Sequence, residues 1–112
     1  MILPNAHLAW VEREKITEYL LNPEHPDNGG KAAFFVALGF SSDGWENLVD
    51  ALRKLTLSAP VSREMETVHG IKYIVEGEIE GPLGKTASVR TIWIVDAGTN
   101  FPRLVTAYPY GR

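Results

Sequence analysis

The chain has 112 residues, of which 45% are apolar, 22% are charged and none is cysteine, and its formal net charge is −3. These values fit one domain with one core and exclude a disordered chain, a disulfide scaffold, a thiolate nucleophile and a Cys-type zinc site. No basic field advertises nucleic acid, although a local Lys and Arg cluster could serve; no run approaches the ~20 apolar residues of a membrane span, and Met1-Ile-Leu-Pro lacks a basic leader.

After a Pro4-Asn5 turn, residues 11–21 place Ile16, Tyr19 and Leu20 at i, i+3 and i+4, which predicts an amphipathic helix. Asn22-Pro-Glu-His-Pro-Asp-Asn-Gly-Gly30 carries two prolines and two glycines and reads as a long loop. A short apolar helix follows over 31–38, stopped by Gly39. Ser42 or Asp43 then caps a third helix, in which Trp45, Leu48, Val49, Leu52 and Leu55 recur at helical spacing before Pro60 ends it.

From Val61 the period changes to two. Strands are predicted over 61–68, 71–79, 86–95 and 103–108, joined by His69-Gly70, Gly81-Pro-Leu-Gly84 and the loop 96–100. Such short connections join antiparallel neighbours, so the fold class is α+β. The expected architecture has two layers, with N-terminal helices packed on a four-stranded antiparallel meander sheet. The whole of 1–112 is taken as a single domain, helical over about 11–58 and sheet over about 61–109.

If Gly81 and Gly84 flank the turn, Tyr73 lies opposite Ile92 and Val75 opposite Arg90. Ile71, Tyr73, Val75, Ile92, Ile94 and Val105 then share an aliphatic face that meets the helices. Lys72, Ile74, Glu76, Glu78, Val89, Thr91, Trp93, Leu104, Thr106 and Tyr108 share the other, open face. A single bulge in either hairpin would swap part of this assignment.

His25 stands six residues before Lys31. An imidazole beside an ammonium suits acid–base chemistry on a phosphodiester; a solvated loop histidine is the plain alternative. His7 and His69 show no metal-ligand spacing, and no carboxylate cluster suggests a metal. Gly29-Gly30-Lys31 lacks the full phosphate-loop pattern and reads as backbone freedom at a helix start. Arg90 and Arg103 either hold a phosphate or pair with Glu76 or Glu78. Trp93 and Tyr108 either stack a base or pack in the core. Trp10 and Trp45 read as core or helix-packing residues.

Leu3-Pro-Asn-Ala, Tyr19-Leu-Leu-Asn-Pro-Glu-His-Pro26, Lys31-Ala-x-Phe-Phe with Leu38-Gly-Phe40, Val89-Arg-Thr-Ile-Trp-Ile-Val and Pro102-Arg-Leu-Val-Thr-Ala-Tyr-Pro together resemble a small bacterial domain family, common in cyanobacteria. That family brings no activity to carry over. The layout of helices followed by a meander ending in Val-Thr-Ala-Tyr-Pro also resembles the barnase, EndoU, colicin D and RelE group of metal-independent ribonuclease toxins. This resemblance implies catalytic roles for His25, Lys31, Thr91 and Thr106, and substrate-binding roles for Lys72, Arg90, Trp93 and Tyr108. It implies RNA cleavage through attack of a 2′-hydroxyl on the adjacent phosphate, without a metal or other cofactor. Its expected partners are RNA and a small cognate antitoxin or neighbouring-gene protein; the lack of a basic leader and of an apolar span separately predicts no membrane partner and a cytoplasmic location. The competing classes are a non-catalytic protein-interaction module anchored by Trp93 and Tyr108, and a small-ligand-binding α+β domain.

Overall fold

The computed structural model describes residues 1–111 and places three helices ahead of a four-stranded antiparallel sheet, an α+β fold. A 3₁₀ turn over Ala6–Leu8 precedes helix α1, which begins as an α-turn at Arg13–Lys15 and widens into a π-helical segment over Ile16–Leu20. The Leu21 amide donates to the Ile16 carbonyl at 2.8 Å, the i to i+5 bond that defines this winding. Helix α2 spans Lys31–Ala37 and α3 spans Trp45–Ser58. Strands β1 (Val61–Thr67), β2 (Gly70–Glu80), β3 (Thr86–Asp96) and β4 (Pro102–Pro109) follow in the spatial order of the sequence.

Local chemistry accounts for the ends of the helices. Gly39 has φ of 100°, and the amides of Gly39 and Phe40 close back on the carbonyls of Val36 and Phe35, which is a Schellman stop for α2. Neither Ser42 nor Asp43 caps α3. The N-cap is Gly44, whose amide donates to Ser41 Oγ, so the hydroxyl three residues earlier orders the approach to the helix.

Ile16 and Leu20 of α1, Phe35 of α2 and Leu48, Leu52 and Leu55 of α3 bury against Tyr73, Val75, Ile79, Val89, Trp93, Leu104 and Ala107 of the sheet. Gly77 lets α3 approach β2: a Cβ there would stand 2.7 Å from Leu55 Cδ1. The N-terminal segment also touches both edges of the sheet. Ile2 bridges Pro60, while Trp10 pairs in parallel with Arg103 at the outer edge of β4.

The expected register is one residue out. Tyr73 faces Trp93 and Val75 faces Thr91, because the β2–β3 turn runs from Gly81 to Lys85, with the Gly81 amide donating to the Lys85 carbonyl. One residue of slip reverses the faces of a strand. Thr91 and Trp93 therefore point into the core, and Ile92 and Ile94 point to the face away from α3. A bulge between β3 and β4 leaves Val105 without a partner, so Leu104 faces Trp93 whereas Thr106 faces Ile92. Thr106 and Tyr108 consequently share the outer face with Ile92 and Arg90, not with Thr91 and Trp93. The first hairpin turn also shifts, to Val68-His69, with Gly70 opening β2 at φ of 144°.

Trp10 does not join the core or pack between helices. It is 49% exposed and meets Phe101 edge to face, outside the core.

Candidate functional site at the outer edge of the sheet

The Pro-rich loop between α1 and α2 is folded tightly onto itself. The Asn22 side chain accepts the Glu24 amide, and the Asn22 carbonyl accepts the His25 amide. The Asp27 amide donates to His25 Nδ1 at 3.0 Å. With Nδ1 occupied as an acceptor, the neutral ring carries its proton on Nε2.

Asn28 fixes this loop to the helical layer. It is buried, its Nδ2 donates to the Tyr19 carbonyl at 2.6 Å and to the Leu20 carbonyl at 3.3 Å, and its Oδ1 accepts the Ala32 amide at 2.9 Å. One amide side chain thus closes the end of α1 and caps the start of α2. Lys31 reinforces the same turn, its Nζ donating to the carbonyls of Asp27 and Asn28 at 3.2 and 3.1 Å.

Tyr19, carried by the π-helical segment, stands at the centre of the arrangement. Its hydroxyl lies 2.9 Å from Thr106 Oγ1, and its ring meets the His25 ring edge to face with centroids 4.9 Å apart. The ammonium groups of Lys15 and Lys31 stand 5.4 and 5.6 Å from the Tyr19 ring centroid. His25, Tyr19 and Thr106 line a cleft of about 610 Å³ together with Glu12, Glu14, Lys15, Glu18, Asp27 and Val105. Chemically the cleft offers an imidazole, two adjacent hydroxyls and nearby ammonium groups, among four carboxylates that line it as well.

Of the residues singled out from the sequence, His25, Lys31 and Thr106 come together around Tyr19. Thr91 and Trp93 do not join them. Both are fully buried, and their polar atoms are occupied: Trp93 Nε1 donates to Thr91 Oγ1 at 2.8 Å, and Thr91 Oγ1 donates to the Val75 carbonyl at 2.8 Å. This pair satisfies two polar groups inside the core, where an unmet donor would be costly. A side chain sealed this way touches no substrate.

Lys72 lies on the outer face, opposite Ile94 and Met65. Arg90 and Tyr108 are cross-strand partners on that face. Arg90 Nε donates to Glu76 Oε2 at 2.5 Å, and its guanidinium carbon stands 5.9 Å from the Tyr108 ring centroid and 4.5 Å from that of Tyr110. The Tyr108 side chain and then the Glu76 carboxylate raise the Arg90 pKa still further, so the group stays cationic. Arg103 instead holds Asp96 with two bonds, of 2.5 and 3.0 Å, closing the end of the β3–β4 hairpin.

Sequence reasoning missed Tyr19 and Asn28. Tyr19 read as one member of an apolar stripe, and the π winding that carries it has no sequence signature. Asn28 did carry a signal, since asparagines on both sides of His25 are residues that fold a loop by bonding its backbone.

Fold and site together define a class: an α+β domain of three helices and an antiparallel meander, with a polar cleft where the α1–α2 loop meets the last strand. The chain belongs to DUF6883, described as a domain of unknown function, whose family model matches residues 2–111. Its structure is similar to a chain from a contact-dependent growth inhibition toxin–immunity protein complex of Klebsiella pneumoniae 342. The two superpose with a TM-score of 0.76 at 18% identity, covering 96% of this chain and 97% of that one. This likeness establishes a shared fold. No curated protein matches the chain in sequence. Among the described residues, no helix is long and apolar enough to cross a membrane, and no three His, Cys, Asp or Glu side chains group as metal ligands.

Proposed function

We propose that this domain is a toxin-type endoribonuclease that cleaves RNA without a metal ion, with its reaction centre at Tyr19, His25, Lys31 and Thr106. The observation that carries the reading is the 2.9 Å contact between the Tyr19 and Thr106 hydroxyls beside the His25 ring. The toxin–immunity complex to which the neighbouring fold belongs supports a toxin setting and a cognate protein partner.

In the proposed reaction the RNA 2′-oxygen bonds to the adjacent phosphorus and the bond to the 5′-oxygen breaks. The products are a 2′,3′-cyclic phosphate and a 5′-hydroxyl, so the proton lost at one oxygen is balanced by the proton gained at the other. In its resting tautomer His25 donates from Nε2 to a phosphate oxygen. Taking the 2′-proton at Nε2 requires moving the ring proton to Nδ1, which gives up the Asp27 amide bond at a cost of about 1 kcal/mol, and the imidazolium so formed passes the proton from Nε2 to the departing 5′-oxygen. That cost is small beside the 10²–10⁴-fold typically supplied by general acid–base catalysis. Lys31 adds positive charge near the phosphorane, and whichever of the Tyr19 and Thr106 hydroxyls accepts in their mutual bond has its own O–H free to donate to a phosphorane oxygen. Lys72, Arg90 and Tyr108 lie on the outer face reached from Thr106 and would bind flanking nucleotides.

The experiment is expression of the wild type and of His25→Ala, each with and without the neighbouring gene product, following growth and total RNA. Growth arrest with RNA fragmentation, absent in the variant and suppressed by the partner, supports the reading; arrest without fragmentation, or equal fragmentation by His25→Ala, refutes it.

One feature favours a second reading. Glu12, Glu14, Glu18 and Asp27 line the same cleft, and an anionic lining suits a basic segment of a partner protein. A harmless wild type that copurifies with its neighbour, and loses it when Glu14 and Glu18 become Lys, would support the interaction module instead.

A further inference from the structure

We propose that Tyr110 and Arg90 form a base-stacking subsite for single-stranded RNA, one that sets a minimum substrate length. The inference rests on the ribonuclease reading and adds a residue that lies outside the reaction centre.

Tyr110 lies just beyond β4, yet it is held in line with the strand because its amide donates to the Ser88 carbonyl at 3.0 Å. Tyr110 is 42% exposed, and the Arg90 guanidinium lies over one face of its ring, 4.5 Å from the centroid, leaving the other face to be stacked. Arg90 in turn is fixed through Nε by Glu76 and sits against the Tyr108 side chain, which leaves the remainder of its Nη edge to donate. An exposed aromatic ring beside a fixed guanidinium offers what an unpaired nucleotide uses. The ring face turned away from Arg90 stacks a base, and a free Nη group reaches a phosphate oxygen.

The strand also fixes how far this subsite lies from the cleft. Thr106 and Tyr110 are four residues apart, about 13 Å of extended backbone. That exceeds one nucleotide, so a strand whose scissile phosphate sits at Thr106 brings a more distant base to Tyr110. A double-stranded RNA keeps its bases stacked on one another and leaves the ring empty.

The test measures binding of a non-cleavable 2′-O-methyl octaribonucleotide and of the matching dinucleotide to the wild type, Tyr110→Ala and Tyr110→Phe. Tyr110→Ala is expected to weaken the octamer about tenfold, Tyr110→Phe to restore it, and neither to change dinucleotide binding. Arg90→Gln is expected to reduce the salt slope of octamer binding by about one phosphate. Unchanged octamer affinity in Tyr110→Ala, with RNA cleavage still abolished by His25→Ala, overturns the subsite and leaves the ribonuclease reading standing. A protein that neither binds nor cleaves any RNA removes both.

Discussion

The Tyr19 phenol and the Thr106 hydroxyl, 2.9 Å apart, join the helical half of the chain to the edge strand of the sheet across 87 residues of sequence. Tyr19→Phe keeps the ring and its contacts with His25, Lys15 and Lys31 and deletes that bond alone. Chemical denaturation is expected to show a loss of about 1 kcal/mol. RNA cleavage is expected to fall by at least about tenfold, more than the stability change accounts for.

Asn28 holds the His25 loop in place. Asn28→Ala leaves the Ala32 amide without its cap, takes one of two donors from the Tyr19 carbonyl, which keeps the Asn22 amide, and removes a buried side chain. The expected cost is about 2–4 kcal/mol by urea denaturation, with raised amide hydrogen exchange over residues 22–32. Wild-type stability in this variant would mean that the loop is positioned by something else.

Thr91 and Trp93 act as core residues. Trp93→Ala is expected to destabilise by about 3–5 kcal/mol. Thr91→Val leaves the indole N–H unmet and is expected to cost about 1–3 kcal/mol. The folded fraction of Thr91→Val should bind RNA with unchanged affinity; a large affinity loss in a fully folded variant would return these residues to the binding surface.

The Arg103 hydrogen bond is the main cause that holds the Asp96 carboxyl below its ordinary value of 3.8, with further help from the charges of Arg103 and His69. Because the folded pKa is depressed, this carboxylate stabilises the protein fully above the unfolded value and the contribution disappears as pH falls through the folded value. Asp96→Asn is expected to flatten the acid limb of the stability–pH curve below about pH 4 and to lower stability modestly at neutral pH, since the pair is partly exposed. Parallel acid limbs for the wild type and variant would contradict the assignment.

The order of helices and strands was legible because its punctuation is chemical: Pro60 ends α3, Gly39 stops α2, and a change of period at Val61 marks the sheet. The register was not. It depended on whether Lys85 belongs to a turn or a strand and on an extra residue at Val105, and neither choice alters the hydrophobic pattern enough to be read. Thr91 and Trp93 changed faces for that reason. The hydroxyl on Thr91 looks equally apt for a site and for satisfying an indole N–H in the core. The proximity of the His25 loop to Thr106 arises from tertiary contacts through Tyr19 and Asn28, which no local spacing encodes.

The most direct test incubates purified wild type and His25→Ala with total RNA in excess EDTA and identifies the ends of any fragments. Wild-type fragments are expected to bear 2′,3′-cyclic phosphate and 5′-hydroxyl termini, with His25→Ala slower by about 10²–10⁴-fold. Intact RNA with the wild type, or equal cleavage by the variant, would contradict the proposed reaction.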